Sequence, residues 1–379
     1  MDFKLSEEQE LIRENIRELV KKYLDPIAVE IDESSRYPAE VIEQLAAGGW
    51  MGMPYPVEYG GAGLDYVSYA MVIEEISRSC AATGFTVSCH TSLASGPIFN
   101  FGNEEQKQKY LVPLAKGQHI GAFAVTEPGA GTDVGAATTT ATLDGDSYVL
   151  NGIKTFTSNG PVADTFVVFA FTDKSLGGKG LSAFIISKDN PGLKVGQHFY
   201  KMGIRASQTS EIILKDCRVP REDLLGKEGQ GLQIAMSSFD HGRIGIAAQA
   251  VGITQAALDE SISYSKQRVQ FGKPISKNQA IQWMIADMAT DIAAARFLYS
   301  YAAFLKDQKQ PFTKEAAMAK VFAAEMSTRH TSKAVQIHGG YGYIKGQKVE
   351  RLMRDAKITE IYEGTSEAQR MVIAGNLLR

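Results

Sequence analysis

The string Arg354-Asp-Ala-Lys-Ile-Thr-Glu-Ile-Tyr-Glu363-Gly-Thr-Ser-Glu367 carries the best-placed group for acid–base chemistry in this chain. Ser366 with Gln369 has the capping-box pattern, and Met371, Leu377 and Leu378 continue it as an amphipathic helix. Glu363 then stands just before a helix N-terminus, and Gly364 lets a ligand approach the backbone closely. A carboxylate there can act as a base. The helix N-terminus favours its charged form, whereas an apolar ligand that excludes water favours the neutral one. A single loop glutamate is otherwise an ordinary solvated charge, so the companion motifs decide its meaning.

Those companions are spread along the chain. The run Glu127-Pro-Gly-Ala-Gly-Thr132-Asp133-Val-Gly135 follows the apolar residues Ala122 to Val125. Its glycine spacing is wrong for a dinucleotide fingerprint and strands follow it, which excludes a Rossmann unit. Lys154-Thr-Phe-Thr-Ser-Asn-Gly160 offers an aromatic face at Phe156 and hydroxyls at Thr157 and Ser158. Asp240-His-Gly-Arg243 and Arg268-Val-Gln-Phe-Gly272 each present a guanidinium, always charged and able to donate to two oxygens at once. Glu74 and Glu75 have no Glu-x-x-His beside them and read as a solvated helix face rather than as metal ligands. His90 and His241 lack partners at metal-ligand spacing, so no metal is expected.

Taken together, these strings resemble the acyl-CoA dehydrogenases over essentially the whole chain. The resemblance implies an FAD-dependent α,β-dehydrogenation of an acyl-CoA thioester. Glu363 takes the α-proton, and the β-hydrogen leaves as hydride to flavin N5. The Glu363 backbone N–H and a ribityl hydroxyl of FAD would stabilise the thioester oxygen. By the same resemblance Phe123, Val125, Thr126, Gly131 and Thr132 line the isoalloxazine, with Thr126 at its polar edge and Thr132 also beside the CoA arm. Phe156, Thr157 and Ser158 match a family segment that usually reads K-x-W-I-T-N. Here phenylalanine replaces the customary tryptophan, and Ser158 the customary threonine.

Arg268 is expected on the FAD pyrophosphate of another subunit, with Gln270, Phe271, Asn278 and Gln279 around the same cofactor. Gln336, Gly339 and Gly340 are expected on its adenosine side, and Thr365 and Glu367 also at the cofactor. Asp240, Arg243 and Gly364 are carried over as substrate contacts. His338 reads as packing, because many relatives have a bulky apolar residue there. Isovaleryl- and long-chain-type members place their base at the position of Gly242, which cannot act as one. The straight short-chain or medium-chain pattern fits better, and Asp-x-Gly-Arg-Ile-Gly leans towards butyryl-type enzymes. The implied partners are an acyl-CoA substrate, electron-transfer flavoprotein and further copies of the chain in a homotetramer, a dimer of dimers. The segment Ile344-Lys-Gly-Gln-Lys348 departs from the family pattern, and Lys345 and Lys348 read as solvated. Two rival readings share the fold: an acyl-CoA oxidase passing electrons to oxygen, and a flavin-free acyl-CoA-binding or scaffold protein.

The elements that must position these groups fall into three blocks. Residues 1–118 read as helices, opened by a capping box at Ser6 and Gln9, with a second helix from Pro38 to the Gly48-Gly49 stop. Residues 119–225 are rich in strand formers, with a hairpin at Asp144-Gly145 and apolar strands at 166–171 and 181–186. Residues 226–379 return to helical period. Ile281, Ile285, Met288, Ile292 and Tyr299 form one seam of a bundle helix begun by Ser276 with Gln279. This order predicts an α+β fold: an N-terminal helical domain, a middle β-barrel or sandwich-like domain and a C-terminal four-helix bundle. A net charge of −3 argues against nucleic acid as a partner. Cys80, Cys89 and Cys217 are too scattered for a disulfide framework and read as buried thiols. No apolar run reaches membrane-spanning length. The N-terminus has neither an apolar signal core nor an Arg-rich transit segment. A cytoplasmic protein is expected, or a mature organellar one if the chain is a trimmed form.

Overall fold

A computed structural model describes residues 4–378. The first block contains α1 (Glu7–Leu19), α2 (Ala28–Glu33), α3 (Ala39–Ala47), α4 (Tyr66–Ser79) and α5 (Ala81–Ser88). A π-helical stretch, Cys89–Ser95, then leads into α6 (Gly96–Phe101), α7 (Glu104–Gln106) and α8 (Val112–Ala115). The capping box opens α1 as expected: the Gln9 N–H donates to Ser6 Oγ and the Ser6 N–H to Gln9 Oε1, both at 3.1 Å. Asp65 caps α4 in the same way, accepting from the Ser68 N–H at 2.6 Å.

Eight strands follow: β1 (Gly121–Ala124), β2 (Thr140–Asp144), β3 (Ser147–Ser158), β4 (Thr165–Phe171), β5 (Leu181–Ser187), β6 (Leu193–His198), β7 (Thr209–Pro220) and β8 (Leu224–Leu225). They form one mixed sheet in the order β6-β7-β3-β2-β4-β5-β8, with β1 lying parallel to β4. The hairpin lies where the sequence put it, pairing Asp144 with Ser147 around Gly145, whose φ of 62° suits glycine. Strand β4 is buried on both faces, which is why its sequence is continuously apolar rather than alternating.

The last block holds α9 (Gly231–Gln267), a short ribbon of β9 (Val269–Gln270) and β10 (Lys273–Pro274), then α10 (Gln279–Asp307), α11 (Thr313–His338), α12 (Lys348–Ile358) and α13 (Ser366–Leu377). Helices α9, α10, α11 and α13 form the bundle, and α4 and α5 of the first block also pack on α9. Every residue of α9 from Gly242 to Thr254 is buried, the pattern of a helix surrounded on all sides. Gly245 and Gly252 permit this. A methyl group on Gly245 would strike Ser88 Oγ, and one on Gly252 would strike the Glu74 carbonyl. The α+β fold read from the sequence is the fold observed.

Several local expectations are corrected. Glu74 and Glu75 are not solvated: both are buried. Glu74 accepts from Arg296 Nη2 at 2.6 Å and Tyr299 Oη at 2.5 Å, and Glu75 from Arg17 at 2.6 Å and Arg78 at 2.9 Å. Arg78 lies one turn along the same helix, but Arg296 and Arg17 come from α10 and α1, which a helix-face reading could not foresee. Ser276 caps nothing; it sits in a 3-10 turn, and α10 begins at Gln279 after Asn278. Pro38 takes the N-cap position of α3, one residue ahead of its first turn. Lys348 pairs with Glu260 at 3.4 Å, whereas Lys345 is exposed as read. The three cysteines are buried and unbonded.

Candidate active site

Glu363 lies in the turn between α12 and α13 with a left-handed backbone, φ 52°, followed by Gly364 at φ 93°. Such a φ is uncommon for a non-glycine residue and requires a surrounding that holds it. The holding groups are buried polar side chains. Gln369 Nε2 donates to the Glu363 carbonyl at 3.1 Å and to the Gly364 carbonyl at 2.9 Å. Lys320 Nζ, from α11, donates to the same Gly364 carbonyl at 2.6 Å. Tyr362 stacks on Phe85 at 4.4 Å between ring centroids and donates its hydroxyl to Gln249. The expected capping box is not formed. Thr365 is the N-cap, accepting from the Ala368 N–H at 3.2 Å, and Gln369 is turned back onto the Glu363 turn.

The Glu363 carboxylate is buried, and neither of its oxygens has a hydrogen-bond partner among the described residues. It lies against Gly242 of α9, where a methyl group would fall 1.8 Å from Oε2. Burial pushes its pKa up to about 8, opposed by the positive charges of Lys320 and Arg243. The sequence reading set the helix N-terminus against exclusion of water; here burial by the protein itself prevails, and the opposing charges come from α11 and α9. Arg243 is itself buried and donates to Asp240 Oδ1 at 2.6 Å, while Thr313 donates to Asp240 Oδ2 at 2.5 Å. The two residues read as substrate contacts thus form an ion pair one helical turn along α9.

A second group of residues meets at the sheet. The Thr155 N–H donates to the Thr126 carbonyl at 2.9 Å, which joins the segment from Phe123 to Thr132 to that of Phe156, Thr157 and Ser158. Phe123 also touches Phe239, the neighbour of Asp240 on α9, at 5.8 Å between ring centroids. Val125 is buried, Thr126 half-buried, and Gly131 and Thr132 are exposed. A methyl group on Gly129 or Gly131 would meet nothing within 4 Å, the buried Thr157 hydroxyl has no partner, and Phe156 is 63% exposed. An open glycine floor, an unused hydroxyl and a bare ring edge fit a flat group with polar margins.

The remaining candidates lie elsewhere. Arg268, Gln270, Phe271, Gln279, Gln336, Gly339 and Gly340 are exposed, and Asn278 is half-buried. Arg268 lies over Tyr341 at 5.8 Å from the ring centroid, so the α9 and α11 ends come together there. Along α9, Arg268 stands roughly 39 Å from Gly242 at the α-helical rise. These residues are therefore not brought to Glu363 within one chain. Of the last two candidates, Thr365 is engaged as a cap and Glu367 is exposed. His338 is buried, stacked on Tyr264 at 4.3 Å between centroids, consistent with packing. No cluster of metal-binding side chains is found among the described residues.

Sequence reasoning passed over Lys320 and the carbonyl-holding role of Gln369. A signal for Lys320 was present: it is the only charge in Ala316-Ala-Met-Ala-Lys320-Val-Phe-Ala-Ala324, and it is fully buried.

The chain thus sets a buried, unpartnered carboxylate on one side of α9 and an open surface of glycines, an unpartnered hydroxyl and an exposed ring on another. Comparison with known proteins names the class. The chain matches the N-terminal, middle and C-terminal domains of acyl-CoA dehydrogenase over residues 6–118, 122–217 and 229–378. The short-chain specific acyl-CoA dehydrogenase of Clostridium acetobutylicum is 54% identical over 379 residues, covering 100% of both chains. The human mitochondrial short-chain specific enzyme is 50% identical over 375 residues, covering 99% of this chain and 91% of that one. Butyryl-CoA dehydrogenase from Megasphaera elsdenii superposes with a TM-score of 0.99 at 48% identity over both whole chains. A chain from structural work on the electron transferring flavoprotein of Acidaminococcus fermentans does so at 0.99 and 52%, again over both whole chains. The protein belongs to the acyl-CoA dehydrogenase family.

Proposed function

We infer that this protein dehydrogenates short-chain saturated acyl-CoA thioesters to trans-2-enoyl-CoA, using FAD and Glu363 as the base. The observation that carries this reading is the Glu363 carboxylate itself: buried, unpaired at both oxygens and raised to about 8. A thioester makes its α-carbon acidic, and a carboxylate with little competing hydrogen bonding takes the proton most readily near its own pKa. As the α-C–H bond breaks, its electron pair becomes the new carbon–carbon double bond, and Glu363 ends the step protonated. The Glu363 N–H has no acceptor among the described residues, leaving it free to donate to the thioester oxygen as negative charge develops there. FAD, when bound, supplies the acceptor for the β-hydrogen and its electron pair.

Phe123, Val125, Thr126, Gly131, Thr132, Phe156, Thr157 and Ser158 are the proposed flavin contacts of the same chain, with Thr365 and Glu367. Arg268, Gln270, Phe271, Asn278, Gln279, Gln336, Gly339 and Gly340 are proposed to hold the far end of a neighbouring copy's FAD. Their distance from Gly242 along α9 supports that division, which requires at least a second copy; a homotetramer built as a dimer of dimers is proposed from the family alone. Asp240, Arg243, Thr132 and Gly364 are proposed along the acyl-CoA path. Electron-transfer flavoprotein is the proposed acceptor of the electrons, in line with the Acidaminococcus neighbour. No helix of the described residues is long and apolar enough to cross a membrane, and a cytoplasmic location is proposed from the clostridial relative.

The test is anaerobic mixing with butyryl-CoA. The parent protein should lose its yellow colour within the mixing experiment, and Glu363→Gln should stay yellow while still binding the thioester. Bleaching of Glu363→Gln at the parent rate would remove Glu363 from the role of base. A chain-length series of thioesters should give its highest turnover with the short acyl groups; a maximum at long chains would overturn the short-chain assignment.

A further inference from the structure

The catalytic turn is held from outside by a lysine that the chemistry above does not use. Lys320 sits on α11 with no solvent exposure, among Ala316, Ala319, Ala323 and Ala324, which are equally buried. A lysine in such surroundings must gain something for its desolvation, or it would be replaced by an apolar residue. Its hydrogen bond goes to the Gly364 carbonyl at 2.6 Å, in the Gly364–Thr365 peptide, one peptide beyond the base's own carbonyl. That carbonyl receives a second donor, Gln369 Nε2 at 2.9 Å, so the peptide plane is fixed from two sides. The two residues leading into that peptide, Glu363 and Gly364, have φ of 52° and 93°, a conformation that relaxes unless it is pinned.

We propose that Lys320 is a positioning residue for the dehydrogenation: its ammonium pins the Glu363–Gly364 turn so that the carboxylate faces Gly242, and it sets a positive charge beside that carboxylate. This rests on Glu363 being the base.

The charges around Glu363 leave few alternatives. From α9 come Arg243 and, paired with it, Asp240; from α4 comes Tyr69, from the π-helical stretch Cys89, and from its own turn Tyr362. Burial raises the Tyr69, Cys89 and Tyr362 groups, so they stay neutral through the working range. Glu360 and Glu367 act on Lys320 from the solvent side. Arg243 is already bound to Asp240, which leaves Lys320 as the cation not committed to another carboxylate. Burial brings Lys320 down to about 8 and Glu363 up to about 8, so the two titrate over one range.

Two variants separate the roles. Lys320→Gln keeps a donor for the Gly364 carbonyl and removes the charge; Lys320→Met removes both. The readouts are the rate of flavin reduction by butyryl-CoA from pH 6 to 10, and thioester affinity from the spectral shift on binding. Lys320→Met should lower the rate by about a hundredfold at neutral pH. Lys320→Gln should recover part of that rate. In both, the midpoint of the pH profile should move up by about one unit, with thioester affinity within about threefold of the parent. An unmoved midpoint in Lys320→Gln would overturn the electrostatic part, and a rate in Lys320→Met within threefold of the parent would overturn the positioning part. Should Lys320→Met fail to fold, Lys320→Gln decides by itself: a rate as low as Glu363→Gln would show that the hydrogen bond it retains does not position the turn. If instead Glu363→Gln is still bleached, the assignment of the base fails and the Lys320 proposal falls with it. An inert Glu363→Gln beside parent-like Lys320 variants sinks the Lys320 role alone.

Discussion

Replacing Gly242 by alanine would add a methyl group 1.8 Å from Glu363 Oε2, 2.7 Å from its Cδ and 3.1 Å from Leu93 Cδ2. To restore an ordinary contact near 3.4 Å, the carboxylate must retreat by about 1.6 Å. The group that yields is the far end of a flexible side chain, so the cost falls on catalysis and not on the fold. A misplacement of about 1 Å costs on the order of a hundredfold in rate, or about 2.7 kcal/mol in the barrier. Gly242 lies inside α9, where alanine is the better helix former by about 1 kcal/mol. Gly242→Ala should therefore melt at or above the parent temperature, retain its flavin, and reduce it at least a hundredfold more slowly. Stopped-flow absorbance of the flavin under anaerobic butyryl-CoA measures the rate, and calorimetry the stability. A reduction rate within about threefold of the parent would show that the carboxylate does not work from the position seen here.

Three further outcomes follow from the same geometry. Because the folded pKa of Glu363 is raised from 4.5 to about 8, flavin reduction should speed up with pH through about 8, and the native state binds more protons than the unfolded one between those values. That contribution weakens stability as pH rises, so the melting gap between Glu363→Gln and the parent should widen from pH 5 to about 8, by at most about 1.4 kcal/mol per unit, and level off above; a constant gap over that window would contradict the shift. Lys154, fully buried, donates to Glu127 Oε1 at 2.8 Å and to the Val125 carbonyl at 3.2 Å. Lys154→Met should cost about 3–5 kcal/mol, seen as a lower melting temperature, with Glu127→Gln in the same chain recovering most of it; no loss would mean the pair is dispensable. Arg268→Ala and Glu363→Gln chains, each inactive alone, should regain activity when co-expressed, since a mixed pair keeps one intact base served by one intact arginine. Hybrids without activity would place both residues in the same chain's site.

The parts of this molecule that were legible in its sequence are those set by neighbours along the chain. The Ser6–Gln9 cap, the Asp144-Gly145 hairpin and the apolar strands β4 and β5 depend on local spacing, and each lies where it was read. What was misread depends on contacts across the fold. Glu74 and Glu75 read as solvated because Arg296 and Arg17 are distant in sequence, yet α10 and α1 bring those cations onto them. Ser366 read as the cap because its spacing to Gln369 is right. Gln369 is drawn away because its amide donates to the Glu363 and Gly364 carbonyls, turned inward by two positive φ values, while the Ser366 N–H that a capping box would use is taken by the Glu360 carbonyl at 2.9 Å. The same competition explains the base. The helix end and the exclusion of water were set against each other for Glu363; the residue lies before the cap, its oxygens receive none of the helix N–H groups, and burial raises its pKa. Motif spelling thus singled out the carboxylate proposed as base, while its burial and the groups beside it, Gly242, Arg243 and Lys320, come from helices that only the folded chain brings together.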